Sequence, residues 1–166
     1  GTPSSLELIA YLHGLTYLAG SDTHAGACTL MDSPAELLSA IAASDEPALE
    51  MAITTLLLHR PELADALPVA LECLENSPVA RANLMCFYQA AVYIQREIET
   101  DLRSSQPAAR AFRLLPDLVS VMLGLEPPER FAAQAGDVNA ALTQLAARHA
   151  ALTGDDSNWV SSYRRH

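Results

Sequence analysis

The 166-residue chain contains no lysine, and all ten of its basic residues are arginines. That absence removes the phosphate-binding loop ending in Gly-Lys-Ser/Thr, every Schiff-base mechanism including the pyridoxal-phosphate one, and the lysine of protein kinases. Each of these needs an ε-amine. Long apolar runs are missing too. The uninterrupted stretches are only a few residues, far below the ~20 that span a bilayer, and no basic segment precedes an apolar one at the N-terminus. A soluble, cytoplasmic protein is expected. Cysteine is scarce: Cys28, Cys73 and Cys86 form an odd set without C-x-x-C spacing. Cys73 and Cys86 lie among apolar neighbours in helical patterns, as reduced core thiols do.

The motifs of several helical and α/β enzymes are also absent. None of His13, His24, His59, His149 and His166 sits in H-E-x-x-H or E-x-x-H, the spacings that put two metal ligands on one helix face. Neither G-x-G-x-x-G nor G-x-S-x-G occurs, and no arginine is followed four to six residues later by histidine. No motif therefore calls for a cofactor.

What is present is alanine and leucine. Apolar residues make up 50% of the chain and aromatics only 5%, a balance that favours helices packed through small and γ-branched side chains. The expected fold is all-α, a single domain over residues 1–166. Gly1, in place of an initiator methionine, reads as a cloning remnant, and 155–166 as a tail or a short extra helix. The ten prolines punctuate the chain, since proline is tolerated in the first turn of a helix and expelled from its interior.

A first helix is expected from about Leu6 to Ala19, opened by Ser4 and Glu7 as a capping box. A second capping box, Ser33 to Glu36, opens a short helix with Leu37, Leu38 and Ile41 facing inward. A third helix starts around Asp45 to Pro47 and stops near Arg60, because Pro61 disfavours helical geometry before it. Another begins at Pro61, kinked or restarted at Pro68, and closes near Asn76. The longest, about 78–103, has Ser77 as N-cap and Pro78 at its first position. It is apolar over most of its circumference, leaving Arg81, Gln89, Arg96 and Thr100 as a narrow solvent strip. Helices are then expected over Pro107 to about Leu115, Pro116 to Leu123 with Gly124 at the stop, and Asp137 or Val138 to Leu152. An irregular multi-helix bundle around the 78–103 helix follows. The alternative is a short armadillo/HEAT-like helical array, suggested by helix starts at 34, 47, 61 and 78.

Three groups of residues are candidates for function. His13, Asp22, His24 and Cys28 bring imidazole, carboxylate and thiolate to one stretch, the ligand types that zinc prefers. The plainer reading is a buried ring, a turn and a core thiol. Asn83, Tyr88 and Gln95 are polar groups on a largely buried helix, which either line a small-molecule pocket or bond neighbouring backbone and fix helix register. Trp159 and Tyr163 either anchor a partner or staple the C-terminus onto its own bundle. Arg96, Arg103, Arg110 and Arg113 could gather an anion, but Glu97, Glu99 and Asp101 stand ready to pair with them.

The net charge of −10 is unevenly placed: residues 22–75 hold ten acidic groups against Arg60 alone. Such a surface repels nucleic acid and steers a basic protein partner. The expected function is a non-enzymatic helical protein–protein interaction or regulatory module, binding a protein partner or itself as a homodimer. The alternative is a small-ligand- or metal-binding helical protein, an enzyme included, with a pocket along the central helix or near His13, Asp22 and His24.

Overall fold

Proline opens the helices where the sequence places it. In the computed structural model, residues 34–44, 47–105, 113–129 and 138–154 are described, the backbone alone for 47–50 and 103–105. Helix α1 spans Pro34–Ala42 and α2 spans Pro47–His59. A 3-10 helix follows at Pro61–Ala66, then α3 at Leu67–Cys73. The long helix α4 runs Pro78–Ser105, α5 is a single turn at Ser120–Leu123, and α6 spans Val138–Thr153. Among the described residues there is no strand, and no helix is long and apolar enough to cross a membrane.

The expected restart within 61–76 takes the form of a change of helix type. Pro68 removes an N–H, and the tighter 3-10 turns before it hand over to α3 at Leu67. Two residues stop helices by adopting the left-handed conformation that glycine tolerates. Gly124 at φ 69° closes α5 with paired bonds, Leu125 N–H to Ser120 O at 2.9 Å and Gly124 N–H to Val121 O at 3.0 Å. Gly154 at φ 79° ends α6, its N–H bonded to the Ala150 carbonyl at 2.8 Å.

Helix α4 is the centre of the described structure. It packs most extensively on α6 and α2, and also touches α1, α3 and α5. In an array each unit meets only its neighbours, so the structure is the bundle and not the armadillo/HEAT-like alternative. Tyr88, Phe87 and Leu84 of α4 are fully buried together with Leu37, Leu38 and Ile41 of α1 and Ile53 and Leu57 of α2. Each such side chain contributes about 1.5–3 kcal/mol relative to staying in water. Thr54 Oγ1 donates across the α2–α4 contact to the Phe87 carbonyl at 2.8 Å.

The expected helices over Pro107–Leu115 and Pro116–Leu123 are corrected. Residues 113–118 are not helical, and only Ser120–Leu123 form a turn of helix. Pro116 disfavours helical geometry at Leu115, and the backbone groups that a helix would have paired are taken by side chains of α4. Residues 107–112 lie outside the described residues, as do the expected first helix at Leu6–Ala19 and the 155–166 tail.

Candidate functional site

The 113–129 segment lies on α4 as a strap bent back on itself. Its first limb starts opposite Gln95, whose Nε2 donates to the Arg113 carbonyl at 2.9 Å and whose Oε1 accepts from the Leu115 N–H. It reaches Tyr88, whose hydroxyl donates to the Pro116 carbonyl at 2.6 Å. Tyr88 and Gln95 are seven residues apart, two turns along the same side of the helix. The strap then turns at α5 and returns. Tyr93 Oη–H donates to the Glu126 carbonyl at 2.8 Å, and Arg96 Nη2 lies 3.8 Å from Glu129 Oε1. Outside α4, Arg113 pairs with Asp65 at 2.6 Å, an exposed bridge of the kind that adds little.

Beneath the strap runs the stripe of Gln89 and Arg96, again seven residues apart. Gln89 belongs to the expected solvent strip, yet it is fully buried. The correction follows from the strap, which covers a helix face that would otherwise meet water. The Gln89 side chain lies beside the Tyr93 hydroxyl and draws the phenol's pKa down, against the effect of burial. Arg96 Nη1 and Asp117 Oδ1 are buried without a hydrogen-bond partner. Asp117 uses its other oxygen to accept from Ser120 Oγ at 2.7 Å.

At most one polar atom of the buried Gln89 amide is paired, with the Tyr93 hydroxyl, so Gln89→Met, close in shape and without hydrogen-bonding needs, is expected to stabilise the protein by about 1 kcal/mol. Urea unfolding checks this. A loss of stability on substitution would mean that the amide is held by partners.

The three polar candidates on α4 are separated by their bonds. Tyr88 and Gln95 both serve the strap. Asn83 faces the other side, where its Oδ1 accepts from His149 Nε2 at 2.7 Å and its Nδ2 reaches the Ala42 carbonyl at 3.4 Å. His149, on α6, is buried and sits edge-on to Phe87, with ring centroids 5.4 Å apart at 62°. Asn83 thus ties α4 to both α1 and α6. The structure does not bring Asn83, Tyr88 and Gln95 into one pocket. Of the arginines, Arg96 and Arg113 each meet a carboxylate, while the side chains of Arg103 and Arg110 lie outside the described residues.

Acid–base character at these positions follows from burial. Burial first, and the Asp117 charge second, push the Tyr88 phenol up, against the pull of Arg96 and Arg113. Tyr93 is raised by burial above all. Burial pushes the Cys86 thiol up to about 12, only partly offset by Arg148. Both phenols therefore remain protonated donors near neutral pH, and Cys86 remains an inert thiol.

Among the described residues no group of three or more His, Cys, Asp and Glu is placed to hold a metal ion. His13, Asp22, His24 and Cys28, and Trp159 and Tyr163, lie outside the described residues.

What sequence reasoning missed is the outer surface of the strap. Leu115, Val119 and Leu123 are fully buried and anchor it. Leu114, Leu118, Val121 and Met122 face outward at 38%, 41%, 90% and 50% exposure. Four large apolar side chains within nine residues are thus open to water. The only local signal was an apolar excess over 114–123 beyond what one buried helix face requires. No protein-family model, curated protein or solved structure matches the chain.

Proposed function

We propose that the protein is a non-enzymatic helical interaction module that docks a protein partner on the ridge formed by Leu114, Leu118, Val121 and Met122. The observation that carries this reading is the ridge itself. Val121 is 90% exposed, with Leu114, Leu118 and Met122 also exposed in the same nine-residue stretch, and apolar surface open to water is what association removes. The strap beneath it is fastened by Gln95, Tyr88 and Tyr93, so the ridge is presented preformed and little ordering is needed on binding. Of the polar groups that a pocket reading would use, Tyr88 and Gln95 are engaged in that fastening and Asn83 in bonds to His149 and the Ala42 carbonyl. A net charge of −10 disfavours nucleic acid and favours a partner whose apolar contact is edged with basic residues.

Native mass spectrometry of the tagged protein recovered from its source tests this reading. The wild type is expected as a stoichiometric complex with a protein partner or with a second copy, and Val121→Asp as the free monomer. Val121 is exposed, so the substitution should leave thermal stability within about 0.5 kcal/mol of the wild type. A wild-type monomer without partner, or a complex indifferent to Val121→Asp, overturns the proposal.

A further inference from the structure

The strap is held differently from the rest of the bundle. Among the described residues its backbone-to-backbone hydrogen bonds are local: Leu123 N–H to Val119 O, Gly124 N–H to Val121 O and Leu125 N–H to Ser120 O. Its fastening to α4 is made by the side chains of Gln95, Tyr88 and Tyr93 and by burial of Leu115, Val119 and Leu123. A segment with few buried apolar groups and no backbone ladder to the body of the protein belongs at the low end of local stability.

The closed strap also carries a cost that no other described contact shares. Among the described residues, every buried side-chain polar atom short of a partner belongs to Gln89, Arg96 or Asp117. Gln89 and Arg96 lie on the α4 stripe that the strap covers. Asp117 lies on the strap itself, next to the Pro116 carbonyl that Tyr88 holds. Arg96 and Asp117 carry opposite charges, and both act on the Tyr88 phenol. Yet the pairing that each makes is elsewhere: Arg96 Nη2 faces Glu129 at 3.8 Å, and Asp117 Oδ2 accepts from Ser120 Oγ. Arg96 Nη1 and Asp117 Oδ1 are left closed off from water with no bond between them. Stranding a charged donor and a charged acceptor costs more than stranding neutral groups. Lifting the strap returns both to water.

We propose that the strap is a latch with a minor open state, in which it leaves α4 as a unit while α1, α2, α4 and α6 stay packed, and in which Arg96 and Asp117 are hydrated. On opening, Gln95 and Tyr88 release the first limb and Tyr93 releases the returning one. The α4 face along Gln89, Tyr93 and Arg96 then meets water. Any ligand or partner that prefers one of the two states shifts the latch toward it. The proposal is independent of docking on the outer surface of the strap.

The test is native-state hydrogen exchange of the full chain, followed by NMR at low urea. The Leu115, Leu123, Gly124 and Leu125 amides are expected to share one opening and to exchange roughly a hundredfold faster than the Val92 amide of α4. Their rates should respond weakly to urea, since the opening exposes little surface. The double variant Arg96→Met with Asp117→Asn removes both stranded charges and leaves Ser120 an acceptor. It should slow exchange of the strap amides about tenfold. Glu129→Gln, which alters only the exposed partner of Arg96, should leave them within about twofold of the wild type.

Strap amides that exchange at the rate of Val92, with the same response to urea, would show that strap and bundle unfold together and overturn the proposal. So would a double variant that leaves strap exchange unchanged or quickens it. A long-lived internal water between Arg96 and Asp117, seen in water–protein NOEs, would satisfy both groups in the closed state and also overturn it.

Discussion

Gln95→Leu is expected to cost about 2–4 kcal/mol of stability, because it strands two backbone groups at once, the buried Leu115 N–H and the part-buried Arg113 carbonyl. Gln95 is 3% exposed and Leu115 is fully buried. The amide's two ends satisfy the Arg113 carbonyl and the Leu115 N–H, and leucine satisfies neither. Urea unfolding measures the loss, and amide exchange at Leu115 should quicken as the first limb of the strap loosens. Gln95→Glu keeps the acceptor for Leu115 and loses the donor for Arg113, so a smaller loss is expected unless charge burial dominates. If the proposed docking on the strap holds, Gln95→Leu should also weaken it, although Gln95 itself is buried. A stability change under about 0.5 kcal/mol would show that the strap is not fastened there.

Phe87→Ala is expected to cost about 3–5 kcal/mol, the usual range for truncating a buried aromatic ring that its surroundings cannot close over. Phe87 is 2% exposed at the contact of α4 with α6. Its ring meets His149 edge-on, and His149 in turn donates to Asn83. Loss of the ring leaves His149 free to rotate and slackens the bond that ties α6 to α4. The two readouts are the unfolding free energy and the NMR signals of the His149 ring. Phe87→Leu, which keeps most of the volume, should cost less than half as much. A loss below about 1 kcal/mol for Phe87→Ala would mean that the site collapses onto the cavity.

Helix starts were the most legible feature of the sequence, because proline at the first turn is a local rule. Pro34, Pro47 and Pro78 each begin a helix, and the central helix expected over 78–103 runs to Ser105. The inward faces of α1 and of most of α4 follow from spacing alone. The strap was not legible. Leu115, Val119 and Leu123 recur every four residues, as on one face of a helix, yet the chain is not helical through 118. What decides its conformation is the competition from Gln95 and Tyr88, which lie 18 to 28 residues earlier in sequence than the groups they bind.

The burial of Gln89 was hidden for the same reason. Seen along α4 it belongs to a polar strip, and only the returning strap removes it from water. Val79, outside the expected solvent strip, is nevertheless 52% exposed. Asn83, Tyr88 and Gln95 were recognisable as buried polar groups in need of partners. Which partners they find depends on contacts between segments that periodicity does not encode.

The most direct test of the interaction ridge is site-specific photo-cross-linking in the source cell, with the reactive side chain placed at position 121 and, as a control, at the exposed Glu72 of α3. A single protein partner, or a second copy of the chain, cross-linked from 121 and not from 72 is the expected result. No cross-link from 121, or the same products from both positions, would contradict docking on the 114–122 ridge.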